Sequence, residues 1–194
     1  MKFEHEITVE IDCSLEELKS ILDKNNFKVA DEYELSDIYM IRKDKMNESD
    51  KLELLKNCVL IRNIIEEDKN TKKITYKYKE YNDKKEIIKQ GKVDCSINSI
   101  EEAQQLLEAI DYQEFIKLYD HLIVYTNEED ELAIQLVNNK HIYIEVEEYC
   151  NRIEKKYSSV EEMKDVFKKY NIPIKNNDYF VKKAEVEISE KYFN

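Results

Sequence analysis

One glycine, Gly91, and one proline, Pro173, are all that 194 residues contain. That scarcity restricts what the chain can build. Glycine-rich phosphate loops and dinucleotide-binding turns need backbone without a Cβ to approach a phosphate closely, so both are excluded. No serine stands in a nucleophile-elbow setting, and His5, His121 and His141 are too scattered for a metal-ligand spacing. Phosphate or metal chemistry here must come from side chains carried on regular elements.

The apolar pattern switches between two periods. Ser14/Glu17, Ser99/Glu102 and Ser159/Glu162 each place serine three residues before glutamate, the capping box that satisfies free N–H groups in a first helical turn. Helical spacing follows each, as in Leu15, Leu18, Ile21 and Leu22, and a weaker fourth pattern runs from Tyr179 through Val181 and Ala184 to Ile188. Elsewhere the period is two, which predicts strands over 2–11, 35–43, 57–66, 72–81, 85–97, 115–126, 130–137 and 141–149. Turns fall at Glu67-Asp68-Lys69-Asn70, Asn82-Asp83 and Asn127-Glu128-Glu129-Asp130, short enough to imply antiparallel pairing. The expectation is an α+β fold, an eight-stranded antiparallel barrel, closed or nearly closed, with flanking helices in a single domain over 1–194.

Two runs of alternating glutamate stand near the ends. In the first, Glu4, Glu6, Thr8 and Glu10 share one strand face; in the second, Glu145 and Glu147 share a face with Tyr143. Carboxylates two residues apart on a strand lie about 7 Å apart. Lining one cavity, four of them would hold protons or a hard divalent cation. The same alternation also marks an ordinary half-buried strand with a solvated acidic face. In a barrel, the lumen would further receive Arg62, Thr75, Lys77, Lys79, Lys92, Asp94 and Gln135; on an open sheet these would face water.

A formal charge of −12 argues against nucleic acid or an anionic membrane as partner. It leaves room for a small phosphorylated ligand in a locally basic pocket. No apolar run approaches the roughly 20 residues of a membrane span, and no signal peptide is expected from the acidic start. Cys13, Cys58, Cys95 and Cys150 are far apart, which fits reduced thiols and a cytoplasmic location.

The order of the opening E-x-E strand, Asp37-Ile38-Tyr39-Met40, Val59-Leu60-Ile61-Arg62, Ile74-Thr75-Tyr76-Lys77, a helix, and the late Tyr143-Ile144-Glu145-Val146-Glu147 resembles the CYTH superfamily, the triphosphate tunnel metalloenzymes. The resemblance spans roughly residues 2 to 188 and lies in the order of short motifs. It implies a closed antiparallel barrel binding a triphosphate through lysines and arginines and a divalent metal, Mg²⁺ or Mn²⁺, through glutamates. Carried over, Glu4, Glu6, Glu145 and Glu147 are the metal ligands and Arg62, Lys77 and Lys92 the substrate-binding cations, with Glu4, Glu6, Arg62 and Lys77 catalytic. Lys92 and Asp94 stand where an R-x-E pair is usual. Homodimers are common in the family.

Departures from the family pattern are as instructive. Thr8 stands in place of a lysine, Leu60 in place of an arginine, Asp120 and Leu122 in place of K-x-R, and Gln135 in place of an aspartate. A charge-assisted contact to phosphate is worth about 1.5–3 kcal/mol. Losing three or four lowers affinity by orders of magnitude, at roughly tenfold per 1.4 kcal/mol. Two readings follow: a metal-dependent phosphohydrolase or adenylate-cyclase-like enzyme, or an inactive tunnel scaffold that binds a small anionic ligand or partner without turnover.

Overall fold

The computed structural model describes residues 5–81 and 87–192. Eight strands and five α-helices are found among them: β1 (Glu6–Glu10), α1 (Leu15–Lys24), β2 (Lys28–Arg42), α2 (Lys51–Lys56), β3 (Cys58–Glu66), β4 (Lys69–Tyr81), β5 (Ile87–Ser96), α3 (Ile100–Ala109), β6 (Tyr112–Thr126), β7 (Glu131–Val137), β8 (His141–Glu147), α4 (Val160–Lys169) and α5 (Lys183–Tyr192). The strands form one sheet in the order β1-β8-β7-β6-β2-β3-β4-β5. No helix among the described residues is long and apolar enough to cross a membrane.

Closure into a barrel, expected from the strand count, is not found among the described residues: β1 and β5 end the order. The outer edge of β1 is already occupied. Thr8 N–H donates to the Tyr179 carbonyl at 3.2 Å, Val181 N–H donates to the Thr8 carbonyl at 3.0 Å, and Asp12 N–H donates to the Pro173 carbonyl at 3.1 Å. Backbone groups spent on this segment are not available to a closing strand. The same bonds explain why α5 begins at Lys183 rather than near Tyr179, where the helical pattern starts. β2 begins seven residues ahead of the predicted 35, because Lys28–Glu34 alternates only between exposed and half-buried side chains and carries no apolar period.

Left-handed backbone falls mostly on asparagine, as it must where glycine is scarce. Asn26, Asp111 and Asn171 follow α1, α3 and α4 at φ of 61°, 67° and 54°. After α4, Ile172 N–H donates to the Phe167 carbonyl at 2.9 Å and Asn171 N–H to Lys168 at 3.2 Å, the paired bonds of a Schellman end; Phe27 and Asn26 repeat them after α1. The β7–β8 hairpin turns through Asn138 and Asn139, both left-handed. Asparagine tolerates this region because its short amide bonds locally, whereas alanine does not. Asn171→Ala is expected to cost about 1 kcal/mol, read as a lower urea midpoint with unchanged m.

Of the three capping boxes, only Ser14/Glu17 is reciprocal, with Ser14 N–H donating to Glu17 at 2.9 Å and Glu17 N–H to the serine hydroxyl at 3.2 Å. Ser99 and Ser159 accept from the third helical N–H, but Glu162 turns to Ser158 instead.

The chain divides into two compact units. The first takes the described residues up to Tyr33 and Asp120–Val181. There α1 and α4 cover one face of β1, β8, β7 and the end of β6, burying Ile7, Val9, Leu18, Leu22, Ile134, Ile144, Met163 and Phe167 in one core. The second takes Glu34–Tyr119 and the chain from Lys182. Its α3 packs Ala103 and Leu107 onto Met40 and Ile61. In both, the helix-covered face carries the apolar alternation and leaves the polar one uncovered by that core.

Candidate metal centre and cavity

The first unit collects the glutamates by register. Antiparallel pairing sets Glu6 opposite Glu147 and Thr8 opposite Glu145, while Glu145 faces Ala133 on β7. All four stand on the face opposite Ile7, Ile144 and Val146, whose burial fixes the register, since a one-residue slip would expose that core. Glu6, Glu145 and Glu147 can each offer a carboxylate oxygen within 4.8 Å of the others. Glu4 lies outside the described residues.

Beside them opens a cavity of about 200 Å³, lined by Tyr33, Leu122, Val124, Ala133 and Gln135, by Glu131, Glu145 and Glu147, and by Cys150, Asn151 and Arg152. Buried Gln135 donates from its amide to Glu145 at 3.2 Å, and Asn151 donates to Glu147 at 3.0 Å. Burial, then the charges of Glu145 and Glu147, push the Tyr33 phenol up to about 12, so it remains a hydroxyl at neutral pH. Glu131 accepts two main-chain N–H groups, from Asn151 at 3.0 Å and Arg152 at 2.6 Å, and so pins the loop after β8. The Arg152 guanidinium pairs with Asp31. The cavity also draws in residues from two positions of departure: Gln135, 2% exposed, and Leu122, 5% exposed.

The predicted substrate-binding cations belong to the second unit. Arg62 stands opposite Asp37 in the β2–β3 register, and its guanidinium clasps that carboxylate with two bonds of 2.7 and 2.5 Å. Asp37 is 2% exposed, so the pair is a buried, bidentate one. Lys77, half-buried, stands opposite exposed Lys92. Between these positions Asp94 accepts from Thr75 at 2.8 Å and Lys73 at 3.0 Å. Burial raises the Asp94 carboxyl, but those bonds and the charge of Lys92 outweigh it and hold it below the usual range.

Sequence reasoning missed Tyr33 and Arg152. Tyr33 sits in the stretch of β2 without apolar alternation. Arg152 had a signal, being one of three arginines in the chain with Arg42 and Arg62, five residues past the closing glutamate pair.

No known family model matches this chain, and no curated protein matches it by sequence. Its fold is found in solved structures. A Pyrococcus horikoshii protein superposes with a TM-score of 0.70 at 14% identity, covering 96% of this chain and 100% of its own. A candidate adenylate cyclase from Vibrio parahaemolyticus gives 0.62 at 12%, covering 97% and 98%. A candidate adenylyl cyclase from Hippeastrum, described as having a dominant triphosphatase activity, gives 0.62 at 12%, covering 98% and 97%. At such identities the likeness is one of fold.

Proposed function

We propose that the chain is a divergent CYTH-like domain, of the triphosphate tunnel type, acting as a metal-dependent phosphohydrolase or adenylate-cyclase-like enzyme on a small phosphorylated molecule. The observation that carries this reading is the convergence of Glu6, Glu145 and Glu147 within 4.8 Å beside a cavity. The donor set fits Mg²⁺ or Mn²⁺: its ligands are hard oxygens only, and Gln135 and Asn151 orient two of the three carboxylates. Such a cation supplies charge neutralisation for phosphate and lowers the pKa of water. By the resemblance Glu4 belongs to the same carboxylate set, and a glutamate that does not ligate would serve as base for water or a ribose hydroxyl.

Arg62, Lys77 and Lys92, carried by the second unit, are given to phosphate oxygens by the resemblance alone. Arg62 can serve while keeping Asp37, because a guanidinium carries five donors and the carboxylate uses two of them. Asp37 holds its plane fixed, which suits a clamp.

A second reading has its own support. Thr8, Leu122 and Gln135 leave the cavity face poor in positive charge, and Asp37 offsets the charge of Arg62. A scaffold that binds a small anion without turnover would carry these features. One experiment separates the two: purified protein is offered tripolyphosphate, ATP and thiamine triphosphate with Mg²⁺ or Mn²⁺, while phosphate, pyrophosphate and cyclic nucleotide are measured beside calorimetric binding. Metal-dependent product is expected. Saturable binding without product selects the scaffold, and absence of metal affinity overturns the metal-dependent enzyme.

A further inference from the structure

The cavity of the first unit contains a cation that the resemblance does not assign. Arg152 is one of eleven lining residues, and among the described residues the lining holds no other lysine or arginine. Its backbone is fixed by the bond from its N–H to Glu131, and that of Asn151 by a second bond to the same carboxylate. The guanidinium therefore hangs from an anchored point on the loop. Across from it, Asp31 and Tyr33 stand two residues apart on β2 and so project to the same side of that strand. Asp31 takes one terminal nitrogen of Arg152, and Tyr33 lines the cavity.

We propose that Arg152 is the anion-recognising residue of this cavity, taking a phosphoryl oxygen of the ligand, and that Asp31 holds its guanidinium in place when no ligand is bound. This rests on the metal-dependent reading above and names the group that binds the ligand's anionic end there.

The argument is one of charge and geometry. Glu6, Glu145 and Glu147, together with Glu131, whose charge survives its two main-chain bonds, present four carboxylates to anything entering. A divalent cation cancels two of them, so an incoming phosphoryl group would still meet net repulsion. One permanently charged side chain offsets part of what remains and gives the ligand a local point of attraction, and arginine remains charged at every pH the protein meets. At 42% side-chain exposure, Arg152 is open to an incoming ligand. With one nitrogen on Asp31, its planar fork retains donors for a phosphate. Thr8, Leu122 and Gln135, on the strand faces beside it, offer no positive charge in its stead.

A purely structural clasp between the loop and β2 would make the two partners equivalent. Recognition makes them opposite, and this is what the test reads. Wild type, Arg152→Gln, Arg152→Lys and Asp31→Asn are compared by three measurements: Mn²⁺ affinity by electron paramagnetic resonance, tripolyphosphate affinity by calorimetry in saturating Mn²⁺, and melting temperature. The expected result is that R152Q weakens tripolyphosphate binding about 10- to 100-fold while Mn²⁺ affinity stays within about threefold. D31N, which releases the guanidinium, should bind tripolyphosphate as tightly as wild type or tighter. Should R152Q melt early, R152K carries the test, since it keeps the charge beside Asp31 but loses the fork and should still bind more weakly than wild type.

Unchanged tripolyphosphate affinity in R152Q, or equal losses in R152Q and D31N, would overturn the assignment while leaving the metal site standing. A wild-type protein that takes up no Mn²⁺ would overturn the metal-dependent reading, and this inference with it.

Discussion

Replacing Glu145 and Glu147 together by glutamine is expected to lower Mn²⁺ affinity and any metal-dependent turnover by at least about 100-fold. Both residues are placed by the β1–β8 register, with Glu6 opposite Glu147. Their oxygens converge to within 4.8 Å together with that of Glu6. Three like charges so close repel one another when no cation is bound, so a folded chain retains them at a cost. The double variant relieves that repulsion. Its melting temperature without metal should equal or exceed that of wild type, while the rise that Mn²⁺ gives to wild type should vanish. Saturation at a hundred times the dissociation constant is worth about 2.7 kcal/mol, well within the reach of a thermal melt. A destabilised double variant, or one that still responds to Mn²⁺, would show the carboxylates to be structural.

Asp130→Asn is expected to destabilise the first unit strongly, by about 3 kcal/mol. The Asp130 carboxylate is 1% exposed and accepts four side-chain bonds: from the Tyr157 hydroxyl at 2.8 Å, the Tyr170 hydroxyl at 2.7 Å, Lys155 at 2.6 Å and Lys169 at 2.9 Å. One residue thus ties the β6–β7 turn to the loop after β8 and to the end of α4. The lysines are partly exposed and can turn to water, which keeps the cost toward the lower end. The two tyrosines are buried and cannot.

Burial alone would raise the Asp130 carboxyl, but the two lysines and two hydroxyls outweigh it and hold it far below the usual carboxylate range. A carboxyl depressed in the folded state stabilises fully above its unfolded value near 4, and that contribution is lost as pH falls toward the folded value. Urea midpoints of wild type should therefore decline below about pH 4, and D130N should lose much of that slope. An unchanged slope would assign the acid sensitivity to other carboxylates.

Strand and helix existence was legible where an element buries one face. The period-two runs and the three serine–glutamate starts describe faces that pack locally, and local packing leaves a local pattern. Helix α2 left no such trace, being six residues long. The first seven residues of β2 left none either, because neither face of that stretch is fully buried. Barrel closure was inferred from strand number, but the edge of β1 is taken by the Tyr179–Val181 backbone, and backbone bonding has no side-chain signature.

The chain's own alternation determined which side chains of β1 and β8 share a face, since a strand can present its residues in only one way once its apolar set is buried. Period says nothing about distance between strands far apart in sequence. Only the tertiary structure decided that Glu6 meets Glu145 and Glu147, that Asp37 clasps Arg62, and that a loop arginine enters the acidic cavity. Those contacts span from 25 to more than 130 residues of chain and depend on how the sheet is ordered, a quantity no local pattern encodes.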